Sequence, residues 1–210
     1  KRQVLKPEGL LTRDPRMVER KKFGQYQHEY LIEQTQFNED KGLSSYSNRI
    51  DLTFNHPVKE LIWVVKQTRM NETNEVFNYS SLQLNEAGRP YDLILDALIK
   101  FDGFDRFRKR DISYFRLVQP WQYHTTVPDD FIYLYSFSIN PEDSQPSGSF
   151  NASRLDSLVL TLTMNNTLNN TNSSMFIAPI TQRDATCVVF AVNYNVLRIV
   201  AGMGACLFIA

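Results

Sequence analysis

An all-β domain, an antiparallel sandwich or barrel, is the fold class that this 210-residue sequence predicts. Three observations carry the prediction. The chain is rich in strand formers, with 14 Phe and 10 Tyr in a composition that is 42% hydrophobic, and aromatic and β-branched side chains pack well on a pleated surface. About eight short apolar runs recur, several alternating with period two. Turn-rich connections separate them, and no long amphipathic helix interrupts the series.

Taken in order, residues 1–22 are highly charged and broken by Pro7, Gly9 and Pro15, which reads as a linker or arm. The character changes at Gly24, and residues 26–37 (YQHEYLIEQTQF) can extend as a strand. Residues 1–25 are therefore expected to be an inter-domain linker, and residues 26–210 the domain itself. Residues 49–54 (RIDLTF) alternate, with Ile50, Leu52 and Phe54 on one face. Asn55-His56-Pro57 signals a turn, and residues 59–66 (KELIWVVK) form a compact apolar run. Residues 92–100 (DLILDALIK) alternate through Leu93, Leu95, Ala97 and Ile99 but would also tolerate helix. Residues 131–139 (FIYLYSFSI) read as a strong strand. In residues 154–164 (RLDSLVLTLTM), Leu158, Leu160 and Leu162 share one side, and Ser157, Val159, Thr161 and Thr163 the other. Residues 186–196 (TCVVFAVNYNV) are β-branched and aromatic, and residues 205–210 make the last strand. The long connections 68–91, 101–130 and 165–185 are expected to be surface loops, with a short helix or turn near 111–117.

Charge narrows the function. Lys plus Arg and Asp plus Glu balance at 23 each, so the chain lacks the basic field that direct nucleic-acid binding needs. The basic run 106–110 is flanked by Asp102, Asp105 and Asp111 and reads as a solvated or salt-bridged loop. Cys187 and Cys206 sit in apolar runs and read as small buried hydrophobes, a usage that fits a reducing compartment. No signal peptide opens the chain, and its first residue is Lys, so a fragment or a processed piece is expected. The apolar run 196–210 is shorter than the ~20 residues of a membrane helix and is expected to be a buried terminal strand or strand pair.

Catalytic constellations do not emerge. His28, His56 and His124 are followed at the second position by Tyr30, Val58 and Thr126, so no metal-binding His-x-His exists. There is no nucleophile elbow, and a thiol in an apolar strand is held inactive. The acid pairs Glu39/Asp40, Asp129/Asp130 and Glu142/Asp143 are adjacent loop residues rather than facing carboxylates. The glycines of 147–149 and 202–204 lack a phosphate-loop context. No cofactor, metal or catalytic residue is therefore expected. Six Asn-x-Ser/Thr sequons, at Asn71, Asn78, Asn151, Asn165, Asn169 and Asn172, are candidate glycan acceptors. The last three lie in the polar stretch 165–174, which is expected to be exposed.

Several segments together resemble one family. They are YLIEQ (30–34), FNHPVKELIW (54–63), GFDRF (103–107), VQPWQYHT (118–125), IYLYSFSINPE (132–142), QPSG (145–148), NASR (151–154) and AVNYNVLRIVAGMG (191–204). In this order they resemble the C-terminal half of the double-jelly-roll major capsid proteins of nucleocytoplasmic large eukaryotic DNA viruses.

The resemblance implies an eight-stranded antiparallel jelly-roll sandwich with long surface loops, the family's N-terminal jelly roll being absent from this chain. It marks Asn55, His56, Pro57, Trp63, Asp105, Arg106, Gln145, Pro146, Gly148, Arg154, Asn193, Tyr194 and Arg198 as structural residues. On that fold His56 stabilises a turn, 145–148 is a turn between strands, and Trp63, Phe137 and Tyr194 are core-sized. The implied function is structural rather than enzymatic: a homotrimer forms a pseudo-hexagonal capsomer, and capsomers tile an icosahedral shell. Its partners are then further copies, neighbouring capsomers and, indirectly, minor capsid proteins and an internal membrane, without direct nucleic acid. The protein would be made in the host cytoplasm and reside in the virion. Loops 101–130 and 165–185 would rise at the outer surface, with Asn165, Asn169 and Asn172 facing outward. The alternative reading is a carbohydrate-binding jelly-roll module, with Trp121 and Tyr123 beside Gln122 as a sugar platform.

Overall fold

The computed structural model describes residues 27–43, 45–67, 76–80, 90–165, 185–200 and 203–207. The chain divides into two compact units, Glu33–Tyr194 and the paired ends Lys1–Ile32 and Asn195–Ala210. The linker expected at residues 1–25 lies outside the described residues.

Strand β1 (Gln27–Lys41) is followed by β2 (Ser47–Leu52), β3 (Pro57–Gln67) and β4 (Ile94–Phe101). Two-residue strands β5 (Phe104–Asp105) and β6 (Arg110–Asp111) precede a π-helical turn (Tyr114–Val118) and the short helix α1 (Gln119–Tyr123). Then come β7 (Tyr133–Ser136), β8 (Phe150–Asn151), a 3-10 turn (Ala152–Arg154), β9 (Leu158–Met164), β10 (Ala185–Val200) and β11 (Met203–Cys206). One sheet runs β1-β10-β3-β7, with β8 on β3 and β11 on β10; the other runs β2-β9-β4-β5, with β6 on β4. Eleven segments thus pair among the described residues, three of them two residues long, rather than the eight expected.

In the larger unit the two sheets enclose one core. Ile50, Leu52, Ala97, Ile99, Leu160 and Leu162 from one sheet meet Leu61, Trp63, Val65, Tyr133, Cys187 and Val189 from the other. Ile50, Leu52 and Phe54 share the core face as their alternation predicts, and so do Leu158, Leu160 and Leu162. Phe115 from the π-helical turn fills the space beside Trp63, with ring centroids 5.2 Å apart. The helix expected near 111–117 is therefore present and supplies core.

Four departures have local causes. The run expected at 92–100 forms a strand from Ile94 to Phe101, but the β4–β9 register shifts between Ile94 and Asp96. Such a bulge inserts one residue and changes the phase, so Ile94 is fully buried and Leu95 only half-buried. Strand β7 stops at Ser136, because Ser136 Oγ donates to the Ser138 carbonyl at 2.7 Å and accepts its N–H at 3.2 Å. Local side-chain bonds of this kind compete with a sheet ladder. Residues 154–157 leave the 3-10 turn instead of opening β9. The terminal run forms a pair, Leu197 to Val200 against Met203 to Cys206, yet Met203 is 76% exposed. The smaller unit has no facing sheet among its described residues, so nothing there buries the ribbon.

Candidate functional site

No three His, Cys, Asp or Glu side chains gather among the described residues as a metal would require. Cys187 is buried, burial pushes its thiol far above the ordinary range, and neither cysteine is bridged. The polar side chains cluster instead around the start of β3.

The corner Asn55-His56-Pro57 carries the chain from β2 into β3. His56 adopts a left-handed backbone, φ 70°, a region that Asn, Asp and His enter more readily than other side chains. Its N–H donates to Ser153 Oγ at 2.8 Å, and its carbonyl accepts the Ala152 N–H at 3.0 Å. Pro57 opens β3 opposite Asn151, a strand-end position that tolerates a missing donor. Gln36 of β1 grips the same corner: its Oε1 accepts the Asn55 N–H at 3.0 Å, and its Nε2 donates to the Asn55 carbonyl at 2.7 Å. The same Nε2 donates to Asn193 Oδ1 at 3.0 Å, and Asn193 is fully buried.

Opposite Asn193 the ladder slips. Val192 pairs with Glu60 and Asn193 with Val58, so Lys59 is an extra residue in β3. The bulge turns two successive side chains, Lys59 and Glu60, away from the core. Lys59 is 4% exposed, and its ammonium donates to Glu33 Oε1 at 2.6 Å and to the Pro141 carbonyl at 2.7 Å. The Tyr194 ring lies 5.7 Å away; Tyr194 is buried on this polar side rather than in the sandwich core. Glu60 meets His124 Nε2 at 3.1 Å, and His124 Nδ1 meets Glu142 at 3.2 Å. The hydrogen bond to Glu60 chiefly, with the charges of both carboxylates, holds His124 above its ordinary range against the opposing effect of burial.

The turn Gln145-Pro146-Ser147-Gly148 closes this region. Gln145 and Pro146 are exposed. Ser147 Oγ lies 2.6 Å from Ser138 Oγ, accepts the Asn140 N–H at 2.8 Å and donates to the Asn140 carbonyl at 3.0 Å. Gly148 has φ 152°, and a Cβ there would stand 2.7 Å from the Phe137 carbonyl oxygen, so no side chain fits. Beyond it, Gln119 fastens α1 to the edge strand β7: its Oε1 accepts the Ser136 N–H at 3.0 Å, while its Nε2 donates to Tyr114 at 2.7 Å. Trp121 projects from α1 and is 74% exposed, whereas Tyr123 is half-buried.

The other family-motif residues are dispersed. Asp105 pairs with Lys100 at 3.0 Å, and the exposed Arg106 donates its N–H to the Ile99 carbonyl. The salt-bridged reading of 106–110 is visible in Lys109 to Asp96 at 2.8 Å. Arg154 ends the 3-10 turn, exposed. In the smaller unit Arg198 holds Glu29 at 2.7 Å. Of the sequons, Asn71, Asn169 and Asn172 lie outside the described residues. Asn151 is exposed and caps the 3-10 turn, while Asn78 Oδ1 accepts from Ser80 Oγ at 2.6 Å. Asn165 corrects the expectation of an exposed stretch from 165: it is 6% exposed, and its Nδ2 donates to the Asp92 carbonyl at 3.1 Å.

Sequence reasoning missed Lys59, Gln36, Ser147 and the His124–Glu142 contact. A charged pair inside an apolar run, Lys59-Glu60 ahead of Leu61, is the one signal that marked a bulge. Their partners are 7 to 157 residues apart, and nothing in the sequence pattern announces them.

Comparison with known proteins bears on what this arrangement serves. A family model described as large eukaryotic DNA virus major capsid protein matches residues 19–205. A second, ribosomal protein S9/S16, matches only residues 1–29. The chain is 38% identical to the major capsid protein of Pyramimonas orientalis virus, over 89% of this chain and 44% of that one. It is 35% identical to the major capsid protein of Paramecium bursaria Chlorella virus 1, over 89% of this chain and 50% of that one. Among solved structures it is similar to PBCV-1 VP54, fitted into a reconstruction of the virophage Sputnik. That likeness has a TM-score of 0.71 at 31% identity, over 94% of this chain and 55% of that one. The chain spans about half the length of the curated relatives it matches.

Proposed function

The chain belongs to the large eukaryotic DNA virus major capsid protein family, and on that premise we propose that it is the C-terminal jelly-roll part of a structural capsid subunit. Three such subunits associate as a pseudo-hexagonal capsomer, and capsomers tile an icosahedral shell. The carrying observation is the family match along 19–205 on a two-sheet sandwich. The polar clusters support the reading: Gln36, His56, Lys59 and Ser147 make internal hydrogen bonds and an ion pair that hold turns in place, which suits a rigid building block. The partners are other copies and neighbouring capsomers, with minor capsid proteins and the internal membrane reached indirectly. The residence is the virion, after synthesis in the host cytoplasm.

Size-exclusion chromatography with light scattering, paired with electron microscopy of the full-length subunit, tests this. A trimer with pseudo-hexagonal outline is expected; a stable monomer without such particles overturns the proposal. Residues 1–25 serve as an inter-domain linker, supported by their charge and by Pro7, Gly9 and Pro15. Removing residues 1–25 is expected to leave thermal unfolding of the remainder unchanged, and a lowered midpoint would exclude a linker. The exposed Trp121 favours one second reading, a carbohydrate platform with Gln122 and Tyr123. Saturable binding on a glycan array, lost in Trp121→Ala, would establish it.

A further inference from the structure

We propose that His124 is a pH-operated clasp: as the imidazolium it bridges Glu60 of β3 and Glu142 of the loop after β7, and its deprotonation frees that loop and opens the apolar cleft beside it. Both ring nitrogens face carboxylate oxygens, Nε2 to Glu60 at 3.1 Å and Nδ1 to Glu142 at 3.2 Å. Carboxylates only accept, and a neutral imidazole carries one N–H and one lone pair. With both glutamates ionised, both contacts require the doubly protonated ring.

The two carboxylates are unequal. The Glu60 side chain is 8% exposed and that of Glu142 42%. When the ring loses a proton, the remaining N–H stays with Glu60, the less hydrated of the two, and Glu142 swings out. The Thr125 N–H and hydroxyl also donate to Glu142 Oε1, at 3.1 and 3.3 Å, so the release also breaks these two bonds. His124 and Glu142 line a cleft of about 220 Å³, whose other walls include Ile62, Pro120, Ile132 and Leu134. Parting the first two uncovers the apolar four.

The groups around His124 leave this titration to it. From β3 it faces Glu60, while neighbouring Lys59 is committed to Glu33. The outward residues of β7 are Leu134 and Ser136, neither titratable. From the loop it faces Glu142, while Asp143 is engaged by Asn140. The following segment carries Asp129 and Asp130, both exposed. Hydrogen bonding to Glu60 raises His124 above its ordinary 6.5, so the clasp is at full strength below 6.5 and weakens as pH rises through the raised value. Hydrogen bonding to the Thr125 N–H lowers Glu142 below its ordinary 4.5, so its contribution is present above 4.5 and lost as pH falls through the lowered value. The clasp is closed between the two.

Nitrogen and carbon NMR of the full chain tests this, His124 being assigned by its loss in His124→Gln. The expected result is a His124 midpoint above 6.5 with both ring nitrogens protonated at pH 6. Thr125 amide exchange, corrected for its intrinsic pH dependence, should accelerate as His124 deprotonates, and fluorescence of anilinonaphthalene sulfonate should rise over the same range. Glu142→Gln should lower the midpoint by about one unit. A midpoint at or below 6.5, a ring nitrogen bare at pH 6, or Thr125 exchange indifferent to the titration overturns the clasp. Unchanged dye fluorescence overturns the opening of the cleft. If Glu142→Gln does not fold, the wild-type readings suffice; if His124→Gln does not, sequential backbone correlations assign His124 in the wild type.

Discussion

Leu61, Trp63 and Val65 point from β3 into the space between the sheets, while Lys59 and Glu60 of the same strand meet charged partners on its other side. The inner face is held by area and shape. Trp63 packs on Phe115 and Tyr133 at 5.2 and 6.2 Å between ring centroids, and such burial is non-directional. The outer face is held by donors and acceptors at 2.6 to 3.2 Å, where a misplaced atom forfeits the bond and leaves a desolvated group. The first face supplies stability. The second fixes the 140–148 turn and α1 against the sheet.

Substitutions on each face should separate these roles. Trp63→Ala should cost the most, about 3–5 kcal/mol, read by urea unfolding; a cost under about 1 kcal/mol would mean that the core closes around the gap. Gly148→Ala forces a Cβ against the Phe137 carbonyl at a left-handed φ and should cost about 2–3 kcal/mol, with thermal denaturation as the measure. Lys59→Met keeps bulk on the outer face but strands the Pro141 carbonyl; Glu33, with its side chain 45% exposed, rehydrates. The expected loss is about 1–3 kcal/mol, with faster amide exchange in β1, and equal exchange in β1 would mean that the ammonium positions nothing. Ser147→Ala removes the hydroxyl shared by Ser138 and Asn140 and should cost about 1 kcal/mol, leaving Trp63 fluorescence unchanged. Trp121→Ala, at a side chain 74% exposed, should stay within about 0.5 kcal/mol in the isolated chain. A larger penalty in the assembled particle alone would place Trp121 in a contact between copies.

Much of the inner face was legible beforehand. Ile50-Leu52-Phe54 and Leu158-Leu160-Leu162 alternate because a pleated strand sends successive side chains to opposite sides, and both sets line the core. Where a bulge intervenes, that rule loses count: Leu95 was expected inward and Ile94 took its place. The outer face was almost illegible. Trp63 was singled out as a core aromatic and is one, but Tyr194, singled out likewise, lies by Lys59 because the Val192–Asn193 slip re-aims the end of β10. The sequence shows no metal-binding spacing at His124 and places it in the motif 118–125, and neither points to its two carboxylate partners. The polar stretch reads Asn165 as exposed, whereas it is buried with its Nδ2 donating to the Asp92 carbonyl and its N–H to the Leu93 carbonyl.

The amino-acid sequence determined the all-β class, the order of the strands, the inward faces of β2 and β9 and, through its family motifs, the capsid lineage. These follow from hydrophobic period and turn chemistry, which act between near neighbours along the chain. The tertiary structure alone decided where the two bulges fall, which polar groups share the outer side of β3, and that both nitrogens of His124 face carboxylates. Hydrogen bonds are directional and close over a few ångströms between residues as far as 157 positions apart, so their partners exist only once the sheets have brought them together.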